Sequence, residues 1–361
     1  GHPLWVLQKY YGSERAYPGF AEVFELDVSI VDLHRHYIDE VIIKCKKCGG
    51  PSHRISEIFD SWVEAGSMPF AEYHYPFDNK ECFPDVGSAE SGSRPQASGE
   101  ERLPAQFVAE YIAQTRAWFY VMHVISFILF KKVPFENVVT TGTILAEDGS
   151  KMSKSKNNFP DPWAVINKYG VDSLRFYLMN SAVMQADNLN FSERDLETAH
   201  RKIILILWNV FNYYQTYSKQ SGFTPDPNSK FQIPNSSRVL DQWIWAKSQE
   251  LINDVTKFLD NYDTVRATRA IDKYINDLST WYLRRSRGRK DEEFFLTLRH
   301  CLLILSKVVA PVMPYISELI YQNLTLSPPP FKGEAGGVVP SIHLAAWPET
   351  KKLNKAQKIV L

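Results

Sequence analysis

From about residue 192 onward, apolar positions recur at helical spacing. Segments 193–219, 237–260, 263–286 and 291–309 each carry an apolar stripe between polar residues, and a shorter one, 315–324, repeats the pattern. In 263–286, Ala267, Ile271, Tyr274, Ile275, Leu278 and Trp281 fall on one side of the predicted helix. Pro311 and Pro314 separate the last two helices, because proline lacks the N–H that a helix interior needs. No strand pattern competes, so this half reads as a helical bundle. The first half has another texture. Val41-Ile42-Ile43 is a short apolar run that reads as a strand. Residues 105–130 read as one helix, Asn137 to Thr141 as a buried strand, Glu147 to Asn158 as a polar loop, and 163–179 as a second helix with Val165, Ile166, Tyr169, Leu174 and Leu178 on its apolar side. Helix, strand, loop and helix in that order are the grammar of an α/β, Rossmann-type nucleotide-binding domain. Residues 84–103 and 325–340, rich in Ser, Gly and Pro, are expected to be a mobile surface insertion and a linker.

Composition narrows the class without deciding it. The chain has 361 residues, 44% hydrophobic and 23% charged, which suits two globular domains. Lys+Arg and Asp+Glu are both 41, so a polyanion would have to be met by a local patch. Four cysteines, with only Cys45 and Cys48 closely spaced, are no disulfide framework and fit a reducing cytoplasm. The most apolar stretch, 119–130, is too short to span a bilayer, so no membrane association is expected. No signal peptide is evident. The start at Gly1, without a methionine, reads as entry in mid-domain.

The strongest chemical signal is Lys151-Met152-Ser153-Lys154-Ser155, preceded by Asp148-Gly149-Ser150. Two lysines three residues apart in a loop flanked by Gly and Ser can address one anion, and small neighbours let the backbone approach phosphates. A plain solvated loop would carry similar residues. Here, though, the loop follows a predicted strand and Gly142-Thr143-Ile144-Leu145, and precedes a Pro-rich helix start, Phe159 to Pro162.

In that setting KMSKS resembles the second signature of the class I aminoacyl-tRNA synthetases. Other blocks are similar to the isoleucyl branch: Glu57 to Phe70, with Trp62, Gly66 and Ser67-Met68-Pro69; Phe107 to Tyr120; Ser181 to Phe191; Thr280 to Arg287; and Ala310 to Pro314. The resemblance implies that the loop, with Gly142 and Ile144 beside it, closes over the triphosphate of Mg-ATP, and that Lys151 and Lys154 stabilise charge in the transition state. It implies too that Glu110 contacts the aminoacyl-adenylate, while Gln114, Trp118, Trp62 and Gly66 border the isoleucine pocket. The spacing of Glu110, Gln114 and Trp118, i, i+4 and i+8, would put them on one helix face. Tyr111, Ala113 and Ala117 stand where the branch carries Gly, Asp and Gly.

Cys45 and Cys48 form half of a four-ligand zinc site, so neither zinc nor another bound metal is expected. Trp281 to Lys290 carries five positive charges and no acid beside two aromatic residues. A solvated helix end would look the same; the resemblance makes Arg284, Arg285, Arg287 and Arg289 tRNA-binding residues. The expected organisation is an α/β Rossmann-type catalytic half-domain over 1–192, an all-α helical-bundle anticodon-binding domain over 193–325, and a linker with the start of a C-terminal region over 326–361. The resemblance implies an isoleucine-tRNA ligase, cytoplasmic and monomeric, using tRNA(Ile), L-isoleucine and ATP. The stretch itself is expected to be inactive, lacking the first ATP-binding signature and the editing domain. A synthetase for valine and a non-catalytic tRNA-binding homologue are the alternatives; Lys151, Lys154, Glu110 and Gln114 argue against the latter.

Overall fold

The computed structural model describes residues 39, 42–44, 50–53, 61–83, 101–153, 158–224, 238–325 and 341–351. The insertion and linker expected at 84–103 and 325–340 lie almost wholly outside these residues, and so do Cys45 and Cys48. The chain divides into two compact units, one of residues 1–106 and 113–136, the other of 107–112 and 137–361.

In the first unit, β1 (Ile42–Lys44) and β2 (Pro51–His53) pair antiparallel. Helices α1 (Ser61–Gly66) and α2 (Met68–Ala71) precede the longer α3 (Trp118–Phe130). Phe70, Phe83, Leu103 and Phe130 form the core, with Tyr75 meeting Phe130 edge-on. The α-helical part of the apolar stretch is 13 residues. That gives a rise of about 20 Å, short of a hydrocarbon core of about 30 Å. With the preceding turn, Ile112–Phe130 reaches 19 residues and passes for a span by length and hydropathy alone. Its inner face packs on α1 and the aromatic core, whereas Tyr120, Phe127 and Ile128 are exposed.

Strand β3 (Ala105–Tyr111) pairs with β4 (Phe135–Thr141). The single helix expected over 105–130 is therefore a strand, a 3-10 turn (Ile112–Arg116) and α3. A partner strand supplies ladder hydrogen bonds to a segment, Phe107-Val108-Ala109, that suits either state, and tertiary pairing outweighs propensity. β4 is also less buried than its apolar run suggests, with Val138 exposed.

In the second unit, the short parallel pair β5 (Ile144–Leu145) and β6 (Leu189–Asn190) flanks α4 (Pro162–Tyr169) and α5 (Val171–Met179). Asp161 caps α4 through the Trp163 N–H, and Pro162 sits where a missing N–H does no harm. The helix expected over 163–179 is broken at Gly170, whose φ of +81° no helix accommodates. Val165, Tyr169, Tyr177 and Leu196 make a small core here.

The bundle follows the predicted helices closely. Its members are α6 (Glu193–Ala199), a π-helical segment (His200–Leu205), α7 (Ile206–Gln220), α8 (Val239–Asp260), α9 (Thr264–Asn276), a second π segment (Asp277–Leu283), α10 (Arg284–Ser286), α11 (Glu292–Val309) and α12 (Pro314–Thr325). Side-chain oxygens of Ser192, Asp263 and Asp291 cap α6, α9 and α11. Phe211, Ile244, Ile271, Tyr282, Phe294, Leu298 and Val308 lie in one continuous core. Two side chains tie α5 to the start of α12. The Asp172 carboxylate accepts from the Ile316 N–H at 2.7 Å and the Tyr315 N–H at 3.4 Å, and the Arg175 guanidinium donates to the carbonyls of Pro311 and Val312, both at 2.9 Å.

Candidate active site and nucleic-acid interface

The signature loop grows out of the β5–β6 pair. The Leu189 N–H donates to the Thr143 carbonyl at 3.0 Å and the Phe191 N–H to the Leu145 carbonyl at 2.9 Å. Just before β5, a Cβ on Gly142 would lie 1.8 Å from the Asp187 carbonyl oxygen, so only glycine fits there. After β5 the chain reverses in a tight turn. The Ala146 N–H donates to the Ser150 carbonyl (2.9 Å), the Gly149 N–H to the Ala146 carbonyl (2.8 Å), and Gly149 takes φ of +80°. Lys151 then returns antiparallel to Leu145, its side chain exposed and its backbone held. The carboxamide of Asn158 closes the described part of the loop. Its Oδ1 accepts from the Ser153 N–H at 2.9 Å, and its Nδ2 donates to Ser150 Oγ at 2.9 Å and to the Lys151 carbonyl at 3.1 Å. Lys154 and Ser155 lie outside the described residues.

The pocket residues are positioned differently from the expected helix stripe. Gln114 stands in the 3-10 turn, and its Oε1 accepts from the Trp118 N–H at 3.0 Å, satisfying an orphan donor at the first turn of α3. The Trp118 indole donates to the Ala65 carbonyl at 2.8 Å. Gly66 lies flat on α3: a Cβ there would come within 3.0 Å of Val121 and Ile125 side-chain carbons. Gln114, Trp118 and the α1 segment bearing Trp62 and Gly66 are thus brought together in the first unit. Glu110 is exposed on β3 and belongs to the second unit, with Gly142, Ile144 and Lys151. Glu110, Gln114 and Trp118 share no helix face, because only Trp118 is α-helical.

At the basic cluster, the second π segment resets the helical register. Tyr282 is fully buried, while Trp281, expected on the apolar face, is 49% exposed. The Arg285 guanidinium lies 4.3 Å from the centre of the Trp281 ring, and the Lys290 ammonium 3.4 Å from that of Tyr217. Arg284, Arg285 and Arg287 are exposed. Arg289 is not available in the same way. It binds the Asp241 carboxylate through two nitrogens, at 2.6 and 2.9 Å, and Asp291 at 2.8 Å, and its side chain is only 14% exposed. The Arg289 hydrogen bond holds the Asp291 carboxyl down at about 2. The fully buried Asp241 carboxylate also accepts from the Tyr282 hydroxyl at 2.9 Å. Of the four arginines expected to meet RNA, Arg289 thus differs from Arg284, Arg285 and Arg287, because its fork is engaged by two carboxylates inside the bundle.

Among the described residues, no group of three or more His, Cys, Asp or Glu side chains is placed to hold a metal ion. Residues 3–190, just over half of the chain, match the family described as tRNA synthetases class I (I, L, M and V). The chain belongs to the class I tRNA synthetases. Residues 241–360 of this synthetase chain match the anticodon-binding domain of tRNA ligases. It is 39% identical to the isoleucine–tRNA ligase of Treponema denticola over 88% of its own length and 28% of that protein. It is 37% identical to that of Protochlamydia amoebophila, covering 99% of itself and 32% of the relative, and 35% identical to that of Clostridium tetani, covering 100% and 34%. The chain therefore spans about a third of the length of the curated relatives it matches. Its fold is similar to part of a leucyl-tRNA synthetase from Agrobacterium radiobacter K84, solved with tRNA and LeuAMS (TM-score 0.59, 20% identity, 85% of this chain and 35% of that one). It is likewise similar to a methionyl-tRNA synthetase from Mycobacterium tuberculosis, solved with methionyl-adenylate (TM-score 0.55, 18% identity, 75% and 51%).

Asn158, Asp172 and Arg175 of this class I chain were invisible to sequence reasoning. Each acts on backbone groups that only the folded chain brings near it. For Asn158 the available signal was weak: an amide, between a Lys/Ser loop and a helix start, with no apolar role.

Proposed function

We propose that the complete protein is an isoleucine–tRNA ligase. The observation that carries this is a lysine, Lys151, whose backbone is fixed twice while its side chain stays exposed at the reversal after β5. The names of the curated relatives, at 35–39% identity, support isoleucine as the amino acid. In this reading, residues 1–192 belong to the catalytic domain, 193–325 to the anticodon-binding domain, and 326–361 to a linker and the start of a C-terminal region.

A carboxylate oxygen of isoleucine attacks the α-phosphorus of Mg-ATP. The P–O bond to the β-phosphate breaks and pyrophosphate leaves with the electron pair. A ribose hydroxyl at the 3′ end of tRNA(Ile) then attacks the adenylate carbonyl, and AMP leaves. Lys151 and Lys154 offset charge on the leaving pyrophosphate, so catalysis is chiefly positioning and electrostatics. Gln114, Trp118, Trp62 and Gly66 border the side-chain pocket, and Glu110 contacts the adenylate. Arg284, Arg285 and Arg287 meet tRNA phosphates. The protein works in the cytoplasm, as a monomer, and carries no structural zinc at Cys45 and Cys48.

The test is Lys154→Ala in the complete enzyme. Isoleucine-dependent pyrophosphate exchange should lose about 2–4 kcal/mol of transition-state stabilisation, by comparison with other single electrostatic groups, while isoleucine affinity changes little. An unchanged exchange rate would remove the lysine from the mechanism. Wild-type activation of valine faster than isoleucine would overturn the substrate assignment, since one methylene in an apolar pocket is worth about 1–3 kcal/mol.

A further inference from the structure

We propose that Asn158 is a positioning residue for the activation step: its carboxamide fixes the backbone of Lys151 and Ser153, so that the Lys151 ammonium meets the ATP phosphates from a shape already set. This rests on the reading of the Lys151 loop as the phosphate-binding element. A carboxamide carries two donors and an acceptor on one plane, and Asn158 uses all three. The bonds reach back five, seven and eight residues, so one side chain ties the end of the loop to its beginning. The Lys151 carbonyl is held by Asn158 on one side, and the residue bridges to Leu145 on the other. Lys151 itself is exposed. An exposed lysine on free backbone would have to be ordered at each turnover; here the backbone share of that ordering precedes substrate. Alanine at 158 loses all three bonds. Aspartate, nearly the same size, keeps an acceptor for the Ser153 N–H but has no N–H for Ser150 or the Lys151 carbonyl, and turns an oxygen toward that carbonyl.

The experiment compares wild type, N158A, N158D, K151A and the N158A/K151A double variant of the complete enzyme by ATP–pyrophosphate exchange, using whichever amino acid the wild type activates best. N158A should lower kcat by about 10- to 100-fold, the range reached when reacting groups are misplaced by about an ångström. The KM for the amino acid should stay within about twofold, since uniform binding is untouched. The double variant should be no more than about threefold slower than K151A, because a residue acting through Lys151 has little left to act on once that side chain is gone. N158D should be as slow as N158A. Wild-type kcat in N158A or N158D, or losses that multiply in the double variant, would overturn the role. So would a lowered melting temperature with matched losses of ATP and tRNA binding, which would make Asn158 a folding residue. Preference for another amino acid would overturn the isoleucine reading alone, and the same comparisons would still judge Asn158. A wild type that activates no amino acid would overturn both.

Discussion

Two glycines of the signature region are required for different reasons, and the difference is measurable. At Gly142 the obstacle is another backbone, since a methyl group would meet the Asp187 carbonyl at 1.8 Å. At Gly149 the space is open, with Asn190 at 3.5 Å, and the obstacle is φ of +80°. Gly142→Ala should force β5 and β6 apart, at about 1–3 kcal/mol for overpacking that cannot relax through a side chain. Gly149→Ala should cost about 1 kcal/mol, the penalty for a left-handed alanine. Amide exchange at Leu189 and Phe191, whose N–H groups bind the Thr143 and Leu145 carbonyls, reads this directly: protection should fall in Gly142→Ala and persist in Gly149→Ala. Legibility at this scale follows locality. Lys151 and Gly149 are readable because a short stretch of residue types carries their chemistry. The use of Asn158 is not, because it depends on where the chain returns.

Helices whose apolar stripe faces a single core were legible almost to the residue, as α8 and α11 illustrate. The misreadings occur where something other than periodicity decides. Pairing with β4 makes 105–111 a strand, Gly170 divides α4 from α5, and the π segment moves Trp281 outward and Tyr282 inward. The basic stretch after that segment divides likewise. Removing Arg289 would take two charge-assisted hydrogen bonds from the buried Asp241 carboxylate, so Arg289→Ala should destabilise the bundle by about 3–5 kcal/mol. Arg284→Ala and Arg287→Ala, at exposed positions, should stay within about 0.5 kcal/mol of wild type. Denaturant unfolding of the three variants makes the comparison, and equal stabilities would mean that the Asp241–Arg289–Asp291 group holds nothing together.

For the whole molecule, zero net charge concealed a basic face on the bundle, because composition averages over the surface. Replacing Arg284 and Arg287 together should weaken tRNA binding and flatten its dependence on salt, by about 0.7–0.9 in log–log slope for each phosphate left unneutralised. Adenylate formation should be nearly unchanged. Superimposable binding curves would reduce the cluster to a solvated helix end. Acid stability should have its own signature. Burial, with the charges of Lys351 and Arg299 adding to it, pulls the His300 imidazole down to about 4. The unfolded chain, near 6.5, then binds the proton that the folded chain refuses. Stability is therefore full above about 6.5 and declines as pH falls toward 4. A His300→Gln variant should lose less melting temperature than wild type between pH 7 and pH 4.5. Parallel losses would exclude the histidine as the cause.

The seam between α5 and α12 has a consequence for how this chain can change over time. Asp172 and Arg175 grip main-chain groups of residues 311–316, and every residue type there offers the same carbonyls, and all but proline the same N–H. The side of the seam that is held can therefore drift in sequence, while the side that holds cannot. A saturation library should find Tyr315 and Val312 permissive toward residues that suit their own packing, and Asp172 and Arg175 nearly fixed. Two residues in the segment after the signature loop thus carry the constraint for both partners, and the bundle's own surface stays free to change without loosening its attachment.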